Sequence, residues 1–159
     1  MNLFTAIKIS STGLSAERVR LNIASMNLAN AHVTRTIDGG PYRAKSVVFK
    51  AVPFTMRDQT GPDSLDASFI ANESPFDKIL EEKLETVEVS EIVDDPEPFK
   101  EIYDPSHPDA DEKGIVRLPN VNVMEQMVDI MTASRAYEAG VTAIDTAKSM
   151  ALKALEIAR

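Results

Sequence analysis

The residues of this chain best suited to chemistry lie in YDPSHPDADEKG, residues 103–114. There Asp104, His107, Asp109, Asp111 and Glu112 place four carboxylates and one imidazole within nine positions. Oxygen donors with a single imidazole could hold a divalent cation. The spacing is not that of an EF-hand loop, no second histidine is near, and Pro105 and Pro108 hold the segment extended, so it reads more simply as a hydrated or interface loop. A metal-dependent enzyme or binding module using Asp104–Glu112 stands as the alternative.

Other catalytic chemistry has less behind it. The chain has two histidines, His32 and His107, no cysteine, no G-x-S-x-G elbow and no glycine loop spaced to cradle phosphate. Its carboxylates are many, but they sit in a charge-rich run where hydrated surface with ordinary titration is the usual outcome. No cofactor is expected.

The elements that carry these residues follow from proline. All nine prolines fall between Pro41 and Pro119 in a chain of 159 residues. Proline blocks helix interiors and central strands, so the middle must be turns, edge strands and short segments, while both flanks are free to form long helices.

In the first flank Ile7, Leu14, Leu21 and Leu28 recur every seven residues, with Leu3, Ile9, Ala16, Ile23 and Ala24 widening the same face. In the last flank Val123, Ile130, Tyr137, Ile144, Ala151 and Ala158 repeat at the same interval. Met127, Val141 and Leu155 lie to one side of them, and Ala133, Gly140, Ala147 and Ala154 to the other. Arg135, Thr142, Thr146, Ser149, Lys153 and Glu156 make the polar face. NVME, residues 122–125, is a capping-box pattern that starts this helix at an Asn N-cap.

Helices of this length, roughly 40 and 55 Å at ~1.5 Å per residue, project from any compact globule of this size. Heptad spacing predicts packing on other long helices, first as an intramolecular pair and then against further subunits. The four large residues of the first stripe would contribute roughly 6 to 12 kcal/mol if fully buried. A two-helix hairpin covers one side of each stripe only, so the termini are expected to gain order when partners cover the rest.

Between the flanks, YRAKSVVFKAVPF (42–54) and LETVEVSEIV (84–93) have strand character. Residues 72–113 hold 15 of the 25 acids against four lysines, as a solvent-facing module would. The expected architecture is mainly α with a small β-rich insertion, α+β overall. Residues 1–36 form the N-terminal helical core segment, 37–119 an acidic inserted domain, and 120–159 the C-terminal helix that pairs with the first as a coiled-coil-like core.

The formal charge of −8 opposes binding to nucleic acid or an anionic membrane. Lys8, Arg18 and Arg20 are too sparse to make the basic face of a membrane-surface helix. No run is long and apolar enough to span a bilayer, and MNLFTAIKISSTG lacks the pattern of a cleaved signal.

The residues expected to meet neighbouring subunits are Ile7, Leu14, Leu21, Asn27 and Leu28 on the first helix. On the second they are Val123, Met127, Ile130, Tyr137, Gly140, Val141, Ile144 and Leu155. Asn27 is assigned an intersubunit amide contact that fixes register, and Asn30 helix termination. Gly140, in line with Ala133 and Ala147, predicts close helix approach at a cost of ~1 kcal/mol relative to alanine. Met124, Met127 and Met131 read as core that an assembly would share.

Three stretches together resemble the bacterial flagellar basal-body rod proteins: TGLSAERVRLNIASMNLANAHVT, then GGPYRAKSVVF, then FKEIYDPSHPDADEKGIVRLPNVNVMEQMVDIMTASRAYEAGVTAIDTAKSM. DPSHPDAD running into PNVNVMEQM and ASRAYEA is the more specific part, and is similar to a proximal-rod member. Residues 56–92 carry little of the likeness. Gly140 stands where relatives carry Asn, and MNLAN where Ser-Asn-Ile-Ala-Asn is commoner. The resemblance implies a non-enzymatic axial component whose paired terminal helices line a helical tube with a β-rich domain outside. It implies other rod proteins, copies of the same chain and the flagellar export apparatus as partners, and a place in the periplasm-spanning rod of the basal body.

Overall fold

The computed structural model describes residues 3–37, 39–54 and 84–157, with side chains from Thr5 onward. The Leu3 side chain, Ala158 and the 55–83 portion of the expected insertion lie outside the described residues. The order is α1 (Leu3–Ala29), β1 (Lys45–Pro53), β2 (Glu85–Asp94), β3 (Lys100–Tyr103), β4 (Ile115–Leu118) and α2 (Val123–Ile157). This is the mainly helical, α+β architecture that the proline distribution dictates.

Each long helix begins or ends where an asparagine intervenes. Asn30 closes α1 by donating both its backbone N–H and its Nδ2 to the Met26 carbonyl, at 3.1 and 2.8 Å. Asn122 opens α2, its Oδ1 accepting from Met124 N at 3.2 Å and its carbonyl from Gln126 N at 3.0 Å. The reciprocal Glu125 bond of a full capping box is not formed among the described residues, and Glu125 faces solvent. Thr132, Thr142 and Thr146 return their hydroxyls to the carbonyls four residues back, so this polar face satisfies itself.

β1 and β2 pair antiparallel, with a bulge between Val48 and Phe49 where Ser90 is the extra residue. This ribbon lies against α1. A second ribbon, β3 with β4, was not anticipated; strands of four residues beside prolines give too short an alternation to read. Its connecting loop holds Gly114 at φ +73°, where a Cβ would come within 3.0 Å of Tyr103 and 3.2 Å of Pro105. Of the acids expected on a hydrated module, those described between Glu85 and Glu112 are exposed, except half-buried Asp95 and Asp104.

The core is thin. Among the described residues the buried apolar side chains are Ala16, Ala24, Ala31, Phe54, Val116 and Ala133, whereas nineteen large apolar residues are exposed, ten of them on α2. A finished monomer hides its largest side chains first, so a molecule that buries alanines and exposes leucines and methionines has covered only part of its apolar surface.

Candidate functional site

The region to explain is the helical hairpin and the apolar surface it leaves open. Three contacts set its register: Asn27 with Gln126, Arg20 with Asp129, and Leu14 with Gly140. As the number falls along α1 it rises along α2, so the helices run antiparallel.

Small residues make the seam. Ala133 is 0 % exposed, Ala16 and Ala24 are buried, and Gly140 faces Leu14 so closely that a Cβ there would lie 2.7 Å from Leu14 Cδ2 and 3.1 Å from its Cγ. Without side chains in the way, two backbones approach and their dispersion contacts multiply. Gly140 thus faces this chain's own α1. Arg20 Nη2 donates to Asp129 Oδ1 at 2.8 Å, and with both side chains about a third exposed the pair contributes roughly 0.5 kcal/mol.

Asn27 corrects the sequence-based expectation of an intersubunit amide. It is 2 % exposed, and the chain itself uses all of its hydrogen-bonding capacity. Nδ2 donates to the Lys45 carbonyl at 2.8 Å and to Gln126 Oε1 at 3.0 Å; Oδ1 accepts from Lys45 N at 2.9 Å and from the Tyr42 hydroxyl at 2.8 Å. One amide ties α1 to α2 and to the start of β1. Burial, with the nearby Asp94 carboxylate adding to it, raises the Tyr42 phenol above its ordinary titration range, which keeps it a donor.

The remaining expected interface residues fall into two groups. Ile7, Leu14, Leu21, Leu28, Val123, Ile130 and Ile144 are half-buried. Met127, Tyr137, Val141 and Leu155 are exposed by 45, 38, 38 and 68 %, along the α2 flank beside the seam. Met124, Val128 and Met131 are exposed on the first turns of α2. Sequence periodicity marked the apolar face of α2, but it did not say that the small residues would take the intrachain contact and leave the large ones open.

The Asp104–Glu112 loop is held by hydrogen bonds of its own side chains and by one to Thr34. Asp104 Oδ1 accepts from Ser106 Oγ at 2.6 Å and Ser106 N at 3.1 Å, which with the neighbouring His107 holds its carboxyl below the usual range. His107 Nδ1 accepts from Asp109 N at 3.1 Å, and Thr34 Oγ1 donates to Asp109 Oδ2 at 2.8 Å, pinning the loop to the segment after α1. Asp111 lies 3.9 Å from Arg117. No group of three or more His, Asp or Glu side chains is placed to hold a metal among the described residues. No described helix is long and apolar enough to cross a membrane.

Comparison with known proteins places both helices. The family "Flagella basal body rod protein" matches residues 7–35, and "Flagellar basal body rod FlgEFG protein C-terminal" matches residues 112–157. The chain is 42 % identical over 169 aligned positions to the flagellar basal-body rod protein FlgC of Borreliella burgdorferi, covering 99 % of this chain and 98 % of that one. It is 36 % identical to FlgC of Yersinia enterocolitica at the same coverage, and 35 % identical to FlgC of Bacillus subtilis over 100 % of both.

Proposed function

This chain belongs to the FlgC family of flagellar basal-body rod proteins, and from that premise we propose that the α1–α2 hairpin is the unit by which it enters the rod. It is a structural component of the flagellar basal body, and it assembles with other flagellar components. In this reading the α2 flank of Met127, Tyr137, Val141 and Leu155 meets copies of the same chain and other rod proteins, and the chain has no catalytic role. The observation that carries it is the thin core: a hairpin sealed by alanines that leaves its large apolar residues open gains most of its burial on assembly.

The rod spans the periplasm and transmits torque because mutually buried helices form a close-packed, weakly compressible body. Delivery is by the flagellar export apparatus. The seam uses α1 as far back as Leu14 and Thr5 is buried, so this stretch belongs to the hairpin.

The test is complementation of a strain lacking the gene with Val141→Asp, followed by isolation of basal bodies. The variant is expected to fold and to be absent from the rod, leaving cells immotile. Normal incorporation would refute the flank as an interface.

A further inference from the structure

We infer that the cleft bounded by α1, α2 and the β1–β2 ribbon receives the C-terminal turns of α2 from a second copy of this chain, with the partner's Lys153 paired to Glu17. The inference rests on the rod reading and gives it a particular contact.

Two independent features of α1 point to an occupant. Glu17 Oε2 is withdrawn from solvent with no hydrogen-bond partner, the one such side-chain atom among the described residues. A buried carboxylate oxygen without a donor is unfavourable, and cleft occupancy by a cation would relieve it. One turn earlier Gly13 interrupts the helix interior, where glycine is unfavourable relative to alanine. Nothing lies within 4 Å of where its Cβ would be, so no contact inside the chain accounts for it. Both residues line an open cleft of about 300 Å³, walled by Leu14, Phe49, Val87 and Gly140. It offers apolar walls, a strip of bare backbone and one unpaired acid.

The end of α2 has the complementary shape and charge. At 35 residues α2 outruns the 27-residue α1 by eight, and since the helices start level at Asn27 and Gln126 the excess projects past the beginning of α1. At this end Met150, Leu152, Leu155 and Ile157 are exposed by 62, 53, 68 and 87 %, interleaved with exposed Lys148, Lys153 and Glu156. Large apolar side chains left open together at a helix end mark a surface for a partner. Met150, Lys153 and Ile157, spaced i, i+3 and i+7, share one face that puts an ammonium between two apolar side chains. Seating that face in the cleft brings Lys153 to Glu17 and the backbone groove at Gly13 against the incoming helix. Because the tip and the cleft are different surfaces, the contact is head-to-tail, the kind that builds an open helical assembly when its rotation does not close.

The chain's lack of cysteine makes the test clean. Basal bodies are isolated from cells carrying Gly13→Cys with Met150→Cys, and from cells carrying Glu17→Gln, Glu17→Lys, Lys153→Glu or the Glu17→Lys/Lys153→Glu pair. Circular dichroism of each purified monomer checks folding. Expected are disulfide-linked dimers and higher multimers only when both cysteines are present. Each single charge change is expected to lower incorporation about tenfold or more, and the reciprocal pair to restore it. Lys153→Glu, on an exposed tip, tests the contact without disturbing the hairpin. Absence of cross-links, or a Glu17→Lys defect that Lys153→Glu leaves unrepaired, overturns the second-copy assignment. Single variants that incorporate normally while Val141→Asp does not overturn this contact and leave the rod reading intact. A wild-type chain missing from basal bodies overturns both.

Discussion

The side-chain amide of Asn27 and the backbone of Lys45 exchange two hydrogen bonds, at 2.8 and 2.9 Å, in the manner of paired residues on adjacent strands. A helix residue thereby serves as strand partner to the first residue of β1. The remaining donor and acceptor of the same amide reach Gln126 on α2 and Tyr42, so three elements meet at one side chain.

Replacing Asn27 with Leu removes all four bonds and leaves the Lys45 N–H and carbonyl and the Tyr42 hydroxyl to find water in a closed site. The expected loss is about 3 kcal/mol of stability, measured by urea denaturation followed through tyrosine fluorescence. Asn27→Leu with wild-type stability would mean that the ribbon is held elsewhere.

The Tyr42 phenol titrates above its ordinary 10.0 because burial, and then Asp94, disfavour the anion. Its folded-state value is raised, so its contribution to stability is complete below the unfolded value and is lost as pH rises through the folded one. Alkaline denaturation of Tyr42→Phe should therefore lack the part of the transition that tracks tyrosinate absorbance in the parent.

At Gly140 two effects oppose each other. Alanine would gain ~1 kcal/mol in helix propensity, while its Cβ would press on Leu14, whose flexible end can shift. Gly140→Ala is expected within about 1 kcal/mol of wild type, whereas Gly140→Leu overpacks the seam and costs about 2 kcal/mol. Thr142→Leu, exposed on the polar face, should leave stability within about 0.5 kcal/mol. Equal melting of Gly140→Leu and Thr142→Leu would rule out the close approach.

Seam and flank should separate cleanly. Ala133→Leu, at the most buried position of α2, is expected to lower the stability of the purified chain by about 2 kcal/mol. Tyr137→Ser, on the half-exposed flank, should change it by less than about 0.5 kcal/mol and yet deplete the chain from isolated basal bodies. The two readouts are urea denaturation and immunoblotting of the rod fraction.

In the 104–112 loop, the hydroxyl and N–H of Ser106, with His107 nearby, depress the Asp104 carboxyl below its usual 3.8. A depressed folded-state value means that the contribution is present above the unfolded value and lost as pH falls through the folded one. Carboxyl carbon NMR should show Asp104 titrating below that ordinary value, and Ser106→Ala should move it up towards it. Perturbation of the loop by added divalent cation at neutral pH would reopen the metal reading.

Much of this fold was legible in the chain. Proline restricted to positions 41–119 fixed where long helices could form, heptad apolar residues marked their faces, and Asn30 and Asn122 marked a helix end and a helix start. The strand character of 42–54 and 84–93 foretold β1 and β2, though not their bulge. These features depend on interactions within a few residues, so local spacing encodes them.

Tertiary structure decided the rest. An amide offers the same donors and acceptors to any partner, so nothing in the type or spacing of Asn27 distinguishes a neighbouring subunit from Lys45 or from Gln126, 99 residues away. Which side of an apolar stripe is closed within the chain depends on how near two backbones can come. Here Gly140 receives Leu14 against its bare backbone and Ala133 is fully enclosed, so α2 closes on small residues and leaves Met127, Val141 and Leu155 open.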